Sequence, residues 1–163
     1  MELTSATGTL GGMKIETPDS MAAELAAWNN GQGIDLRSWV SCTGSFSLAV
    51  AYAAVLWPRF VEYEGYVLRE GFSVDALHGF EAQTPGQRRV VETVMNHFHM
   101  ADLQHFGCPD LSRDKITFLG NTLKEIHEVK LRHDFPGRSF EVSLWTPDDP
   151  EALVEYELSF WQR

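Results

Sequence analysis

Apolar residues recur every three or four positions through most of the chain and every second position near its carboxyl end, so helices should come first and strands last. From Met1 to Gly12 the chain is rich in Thr, Ser and Gly and shows no period. Asp19 or Ser20, behind Pro18, can cap a helix that runs to Trp28, and Asn29-Asn30-Gly31 ends it. A short helix through Leu36 and Trp39 follows the loop Gly31-Gln32-Gly33. Ser45 then caps an apolar helix from Phe46 to Trp57, which Pro58 closes. At about 12 residues against the roughly 20 that span a bilayer, this run is predicted to be a buried core helix.

Phe60 to Arg69 favours strand, with Gly65 marking a bulge or bend. Ser73 can cap a helix through Leu77 and Phe80, and Thr84-Pro85-Gly86 separates it from a longer one. That helix carries the stripe Val90, Val91, Val94, Met95, Phe98 and Ala101 and is predicted to end at Gly107 and Pro109. Ser112 opens another, with Ile116, Leu119, Leu123 and Ile126 on one face and Pro136-Gly137 beyond its end. The period then drops to two. Phe140, Val142 and Leu144 point one way, as do Val154, Tyr156, Leu158 and Phe160, with Thr146 to Pro150 as the hairpin loop between them. The predicted fold is α+β: about five helices packed on a small antiparallel sheet that includes a C-terminal hairpin. Residues 1–12 are expected to form a flexible tail, and residues 13–163 a single globular domain.

Charge narrows the classes of partner. Of 163 residues, 13 are Lys or Arg and 23 are Asp or Glu, a net charge of −10. Such a surface repels nucleic acid and anionic lipid and attracts a basic partner. Arg88-Arg89 is the nearest thing to a basic cluster, so neither nucleic-acid nor membrane binding is expected. Two cysteines, Cys42 and Cys108, cannot build a disulfide scaffold or a four-cysteine zinc site. The amino terminus carries no apolar signal segment, so a reducing cytoplasm is the expected compartment.

In the C-terminal hairpin, a register with Trp145 opposite Leu153 puts Val142 beside Tyr156 in the core. On the other face Glu141 then opposes Glu157 and Ser143 opposes Glu155. Like charges across a strand pair cost a few tenths of a kcal/mol or more. The face is therefore either simply solvated or a docking surface, in which Glu141, Glu155 and Glu157 steer a cationic partner and Trp145 and Trp161 anchor it.

Two other clusters invite chemistry. His97, His99, His105, Cys108 and Asp102 suggest zinc, but on one helix His97 and His99 lie about 200° apart and His97 and His105 about 12 Å apart along the axis. Ligands must converge within about 2.0–2.3 Å of one ion, so no metal or other cofactor is expected. Ser41-Cys42-Thr43-Gly44-Ser45 precedes the apolar helix, where a helix dipole can favour a thiolate. The block resembles the nucleophile segment of NlpC-type cysteine peptidases, although Thr43-Gly44 replaces their Ser-Gly and the downstream histidines fall in a predicted helix. That resemblance implies a thiol-dependent hydrolase centred on Cys42, with one of His97, His99 or His105 as base. The plainer alternative is a buried cysteine at a tight helix entry. Glu62/Glu64 and Asp148/Asp149 read as solvated surface.

A wider resemblance rests on Gly31-Gln32-Gly33-Ile34-Asp35-Leu36, Trp39, Cys42, Gly44, Trp57-Pro58-x-Phe60, Val94-Met95-Asn96-His97 and Phe140-Glu141-Val142. With these residues the chain resembles a group of small bacterial proteins of unassigned function. Its acidic α+β profile without a catalytic motif is also similar to that of immunity proteins of polymorphic-toxin systems, which bind and block a cognate toxin domain. The resemblance implies a non-enzymatic inhibitor that occludes a basic toxin site; the thiol hydrolase is the alternative. A homo-oligomer is also compatible with these residues.

Overall fold

Local chemistry sets most of the element boundaries. The structure, a computed structural model, describes residues 17–104 and 107–163; the expected tail over 1–12 and His105 lie outside them. A 3-10 turn at Asp19–Met21 leads into α1 (Ala22–Ala26). Next come α2 (Leu36–Thr43) and α3 (Phe46–Leu56), separated only by Gly44 and Ser45. Asp35 caps α2 by accepting the Ser38 amide at 2.7 Å, and Ser45 caps α3 by accepting that of Leu48 at 3.2 Å. Ser73 does the same for α4 (Val74–Gln83) through the Ala76 amide. After α5 (Arg88–Asn96), the long helix α6 (Arg113–Asp134) stops two residues short of Pro136. At its start Asp114 accepts from the Ser20 amide at 2.8 Å, and this bond and the Ser112 hydroxyl hold its carboxyl well below the usual range.

The strands form two antiparallel sheets, so the fold is α+β. The region expected to be one bent strand is a hairpin of β1 (Phe60–Tyr63) and β2 (Tyr66–Arg69). Glu64 and Gly65 turn it with φ of 50° and 81°, the pair of positive φ angles of a type I′ turn. The second sheet has the order β3 (Phe98–His99), β5 (Glu157–Gln162), β4 (Phe140–Trp145). One face of it, Val142, Leu158 and Phe160, packs with Leu123 and Leu131 of α6 and with Phe60 and Val67 of the first hairpin. Gly120 lets α6 approach β4 closely, since a Cβ there would sit 2.8 Å from the Leu144 methyls. A smaller cluster of Leu68, Leu77 and Val91 joins β2, α4 and α5.

Helix α5 joins the two sheets through buried polar side chains. In the two-residue hairpin, the amides of Val67 and Arg69 point away from β1. Glu92 accepts from Val67 N at 3.2 Å and from Gln162 N at 2.7 Å, and the Gln162 side-chain amide also donates to it. One turn on, Asn96 accepts from Arg69 N and donates to the carbonyls of Val67 and Phe160. Both side chains are fully buried, and they stand in for a strand ladder between β2 and β5.

Three expectations need correction. The apolar helix α3 is not a core helix: none of its residues is buried, and Phe46 is 93% and Val50 71% exposed. The helix through Val90 stops at Asn96 rather than near Gly107, because Phe98 and His99 pair with Leu158 and Glu157 of β5. No proline or glycine marks that stop, and strand pairing overrides the helical period. The C-terminal register is also four residues from the expected one. Trp145 faces Glu157 rather than Leu153, and Val142 faces Phe160 rather than Tyr156. The connection is longer than the predicted loop and includes a 3-10 turn over Leu153–Glu155; Tyr156 buries there and donates from its hydroxyl to the Pro150 carbonyl. A shift by an even number of residues preserves the in-and-out alternation, so Phe140, Val142 and Leu144 keep the core face.

Candidate functional site

The corrected register removes the expected repulsion. Glu141 lies opposite Trp161, Ser143 opposite Ser159 and Trp145 opposite Glu157, so no carboxylate faces another across the pair. These six residues share the sheet face turned away from α6. Over β5 that face is covered by α5: Ser159 Oγ donates to the Thr93 carbonyl at 2.7 Å, and the Arg89 guanidinium lies 4.6 Å over the Trp161 ring. Trp161 is thus a floor residue, only 7% exposed, rather than an exposed anchor.

Where α5 ends, the sheet face opens into a cleft of about 360 Å³. Thr93, Val94 and His97 form one side, Trp145 and Glu157 the other, and Ser143, Ser159 and Trp161 the base. Trp145 is 50% exposed, and His99 Nδ1 lies 3.5 Å from Glu157 Oε1. The lining is mostly apolar with one carboxylate at its rim. An indole face beside a carboxylate suits a cationic side chain, which gains from both the ring quadrupole and the charge.

The other predicted site residues lie elsewhere. Glu141 is ion-paired with Arg163 at 3.5 Å and belongs to a separate polar cleft that it shares with Lys124, Arg132 and Arg138. Glu155 sits in the 3-10 turn, exposed and off the strand. Of the five residues, the cleft therefore unites Trp145, Glu157 and Trp161. His97, in the turn after α5, completes it; the expectation of an unbroken helix there concealed its role.

Cys42 lies in the last turn of α2, the opposite helix end from the one expected, and it is exposed rather than buried. Among the described residues no histidine is hydrogen-bonded to it. Cys108 donates its thiol proton to Asp110 at 2.8 Å, and this bond raises its pKa. His97 and His99 flank Phe98 in extended chain rather than lying on one helix, with ring centroids 5.7 Å apart. Among the described residues, one three-residue group is placed to hold a metal, and the sequence did not suggest it. Glu64 of the β1–β2 turn meets His78 and Glu81 of α4, with donor atoms within 4.8 Å of one another. Its residues are 14 and 17 positions from Glu64, and the turn brings them together.

The chain matches no protein-family model, no curated protein and no solved structure. Among the described residues no helix is long and apolar enough to cross a membrane.

Proposed function

We propose that this protein is a non-enzymatic binding protein that acts in the cytoplasm and docks a basic protein partner at the Trp145–Glu157 cleft. An immunity-type inhibitor that occludes a cationic toxin site is the form of this activity that fits best. The observation that carries the reading is the half-exposed Trp145 beside the Glu157 carboxylate, on a chain of net charge −10. The charge steers a basic partner to the molecule, and the indole supplies the buried contact once it arrives. A lysine or arginine of the partner would lie on Trp145 and pair with Glu157.

The test uses the immobilised full chain against lysate of its own cell at low salt. A basic protein should be retained and should be released as salt rises. Trp145→Ala should weaken retention by about 2 kcal/mol, and Glu157→Lys by tenfold or more, both with unchanged circular dichroism. Retention that neither variant reduces would contradict the proposal.

A further inference from the structure

His99 and Glu157 stand directly opposite each other on β3 and β5. Side chains opposed in this way share a sheet face, so the imidazole lies beside the carboxylate that borders the Trp145 cleft. His99 Nδ1 is shielded from water, sits 3.5 Å from Glu157 Oε1 and has no hydrogen-bond partner among the described residues. That gap is wider than the roughly 2.7–3.2 Å of an N–H···O bond. The neutral ring that fits this geometry carries its hydrogen on Nε2 and turns the Nδ1 lone pair to the carboxylate.

A second imidazole faces the same space. His97 lines the cleft, its ring centroid 5.7 Å from that of His99, and its Nδ1 donates to the Val94 carbonyl. Other ionisable groups on the neighbouring elements are Asp102, exposed in the 3-10 turn Met100–Leu103, and Glu155, exposed in the turn before β5. Arg69 and His127 lie against Phe98, whose side chain points to the opposite face of β3. Imidazole is the side chain whose charge ordinarily changes between about pH 5 and 8. A proton taken up at His99 Nδ1 turns the orphaned nitrogen into a donor aimed at Glu157, and a charge on His97 repels any cation in the cleft.

We infer that His99 is a pH gate on this cleft, which rests on the reading that a cationic side chain docks at Trp145 and Glu157. Neutral His99 leaves the Glu157 carboxylate to the partner's cation. Protonated His99 donates from Nδ1 to Glu157 and takes that cation's place, so a solvent proton and the partner compete for one carboxylate. His97 adds repulsion in the same pH range. The His99 and Glu157 side chains are 40% and 34% exposed, so water screens part of the effect and acid weakens docking rather than abolishing it.

Fluorescence anisotropy of a rhodamine-labelled hexa-arginine peptide with the full chain tests this, because arginine keeps its charge throughout. Binding that Trp145→Ala weakens at pH 7.5 reports the cleft. At constant ionic strength the dissociation constant should rise about tenfold from pH 7.5 to pH 5.5, with unchanged circular dichroism. His99→Gln takes up no proton and should cut that rise to about threefold or less. Glu157→Gln should bind weakly at both pH values with an equally small rise. His133→Gln, at an exposed histidine of α6, should leave the rise whole. A rise that persists in full in both His99→Gln and Glu157→Gln, or a wild-type constant that is the same at the two pH values, overturns the gate and spares the docking reading. A peptide that Trp145→Ala binds as tightly as wild type overturns the docking reading, and the gate falls with it.

Discussion

Replacing Glu92 with alanine is expected to cost about 4 kcal/mol of folding free energy, a large share of the roughly 5–15 kcal/mol that holds a domain together. The carboxylate is fully buried and accepts from the backbone amides of Val67 and Gln162, on two different sheets. Alanine orphans both amides, at about 1–3 kcal/mol each, and leaves a void. The Arg88 guanidinium, 3.7 Å away, also loses its partner, but it is half exposed and water can replace it. Glu92→Gln keeps the shape, yet its amide nitrogen would face an N–H donor, so a loss of about 2 kcal/mol is expected. Denaturant titration reads both values. A loss below about 1 kcal/mol for Glu92→Ala would mean that α5 does not join the two sheets in the way described.

Acid should unfold the protein earlier than its carboxylates alone would. His127 is buried on α6 among Phe60, Phe98 and Phe160, with Nδ1 bonded to the Leu123 carbonyl and Nε2 without a partner among the described residues. Burial lowers its pKa from 6.5 to about 4, against the opposing pull of the Leu123 carbonyl, and the Arg69 charge adds to the lowering. The unfolded chain therefore binds a proton at a pH where the folded one does not. The stabilisation is complete above pH 6.5 and drains away between 6.5 and about 4, at about 1.4 kcal/mol per pH unit and about 3 kcal/mol in all. Carboxylates held down by hydrogen bonds, Asp35 and Asp114 among them, add their own loss at lower pH. The His127→Leu variant isolates the histidine: the difference in stability between wild type and variant should change by about 3 kcal/mol from pH 7 to pH 4. A difference that stays constant would show that His127 titrates normally in the folded state.

Much of the fold was legible because the signals were local. Ser45 and Ser73 cap the helices they were expected to cap, and the alternation of Phe140, Val142 and Leu144 gives the core face of β4. What stayed hidden depends on partners distant in the chain. Glu92 and Asn96 look like the polar side of a helix until β2 and β5 are seen to lack a ladder between them. His97 and Phe98 carry the helical stripe onward until β5 claims Phe98 and His99. The hairpin register could not be read because the turn at Leu153–Glu155 and Tyr156 after it together take up four residues without changing which way the side chains point. For α3, hydrophobicity gave the helix but not its surroundings. With almost no polar residue the helix has no distinct outer face to read, so its period does not say which side meets the body. At the site, Trp145 and Glu157 were marked by residue type, whereas their union with His97 required the observed pairing.

Docking of a basic protein on the Trp145–Glu157 cleft is tested most directly by hydrogen exchange of the full chain with and without the partner retained at low salt. Exchange should slow over 143–145 and 157–161 and beside His97, while α3 is unchanged, and the slowing should vanish in Glu157→Lys. Slowing elsewhere, with 143–145 and 157–161 exchanging as in the free protein, would contradict it.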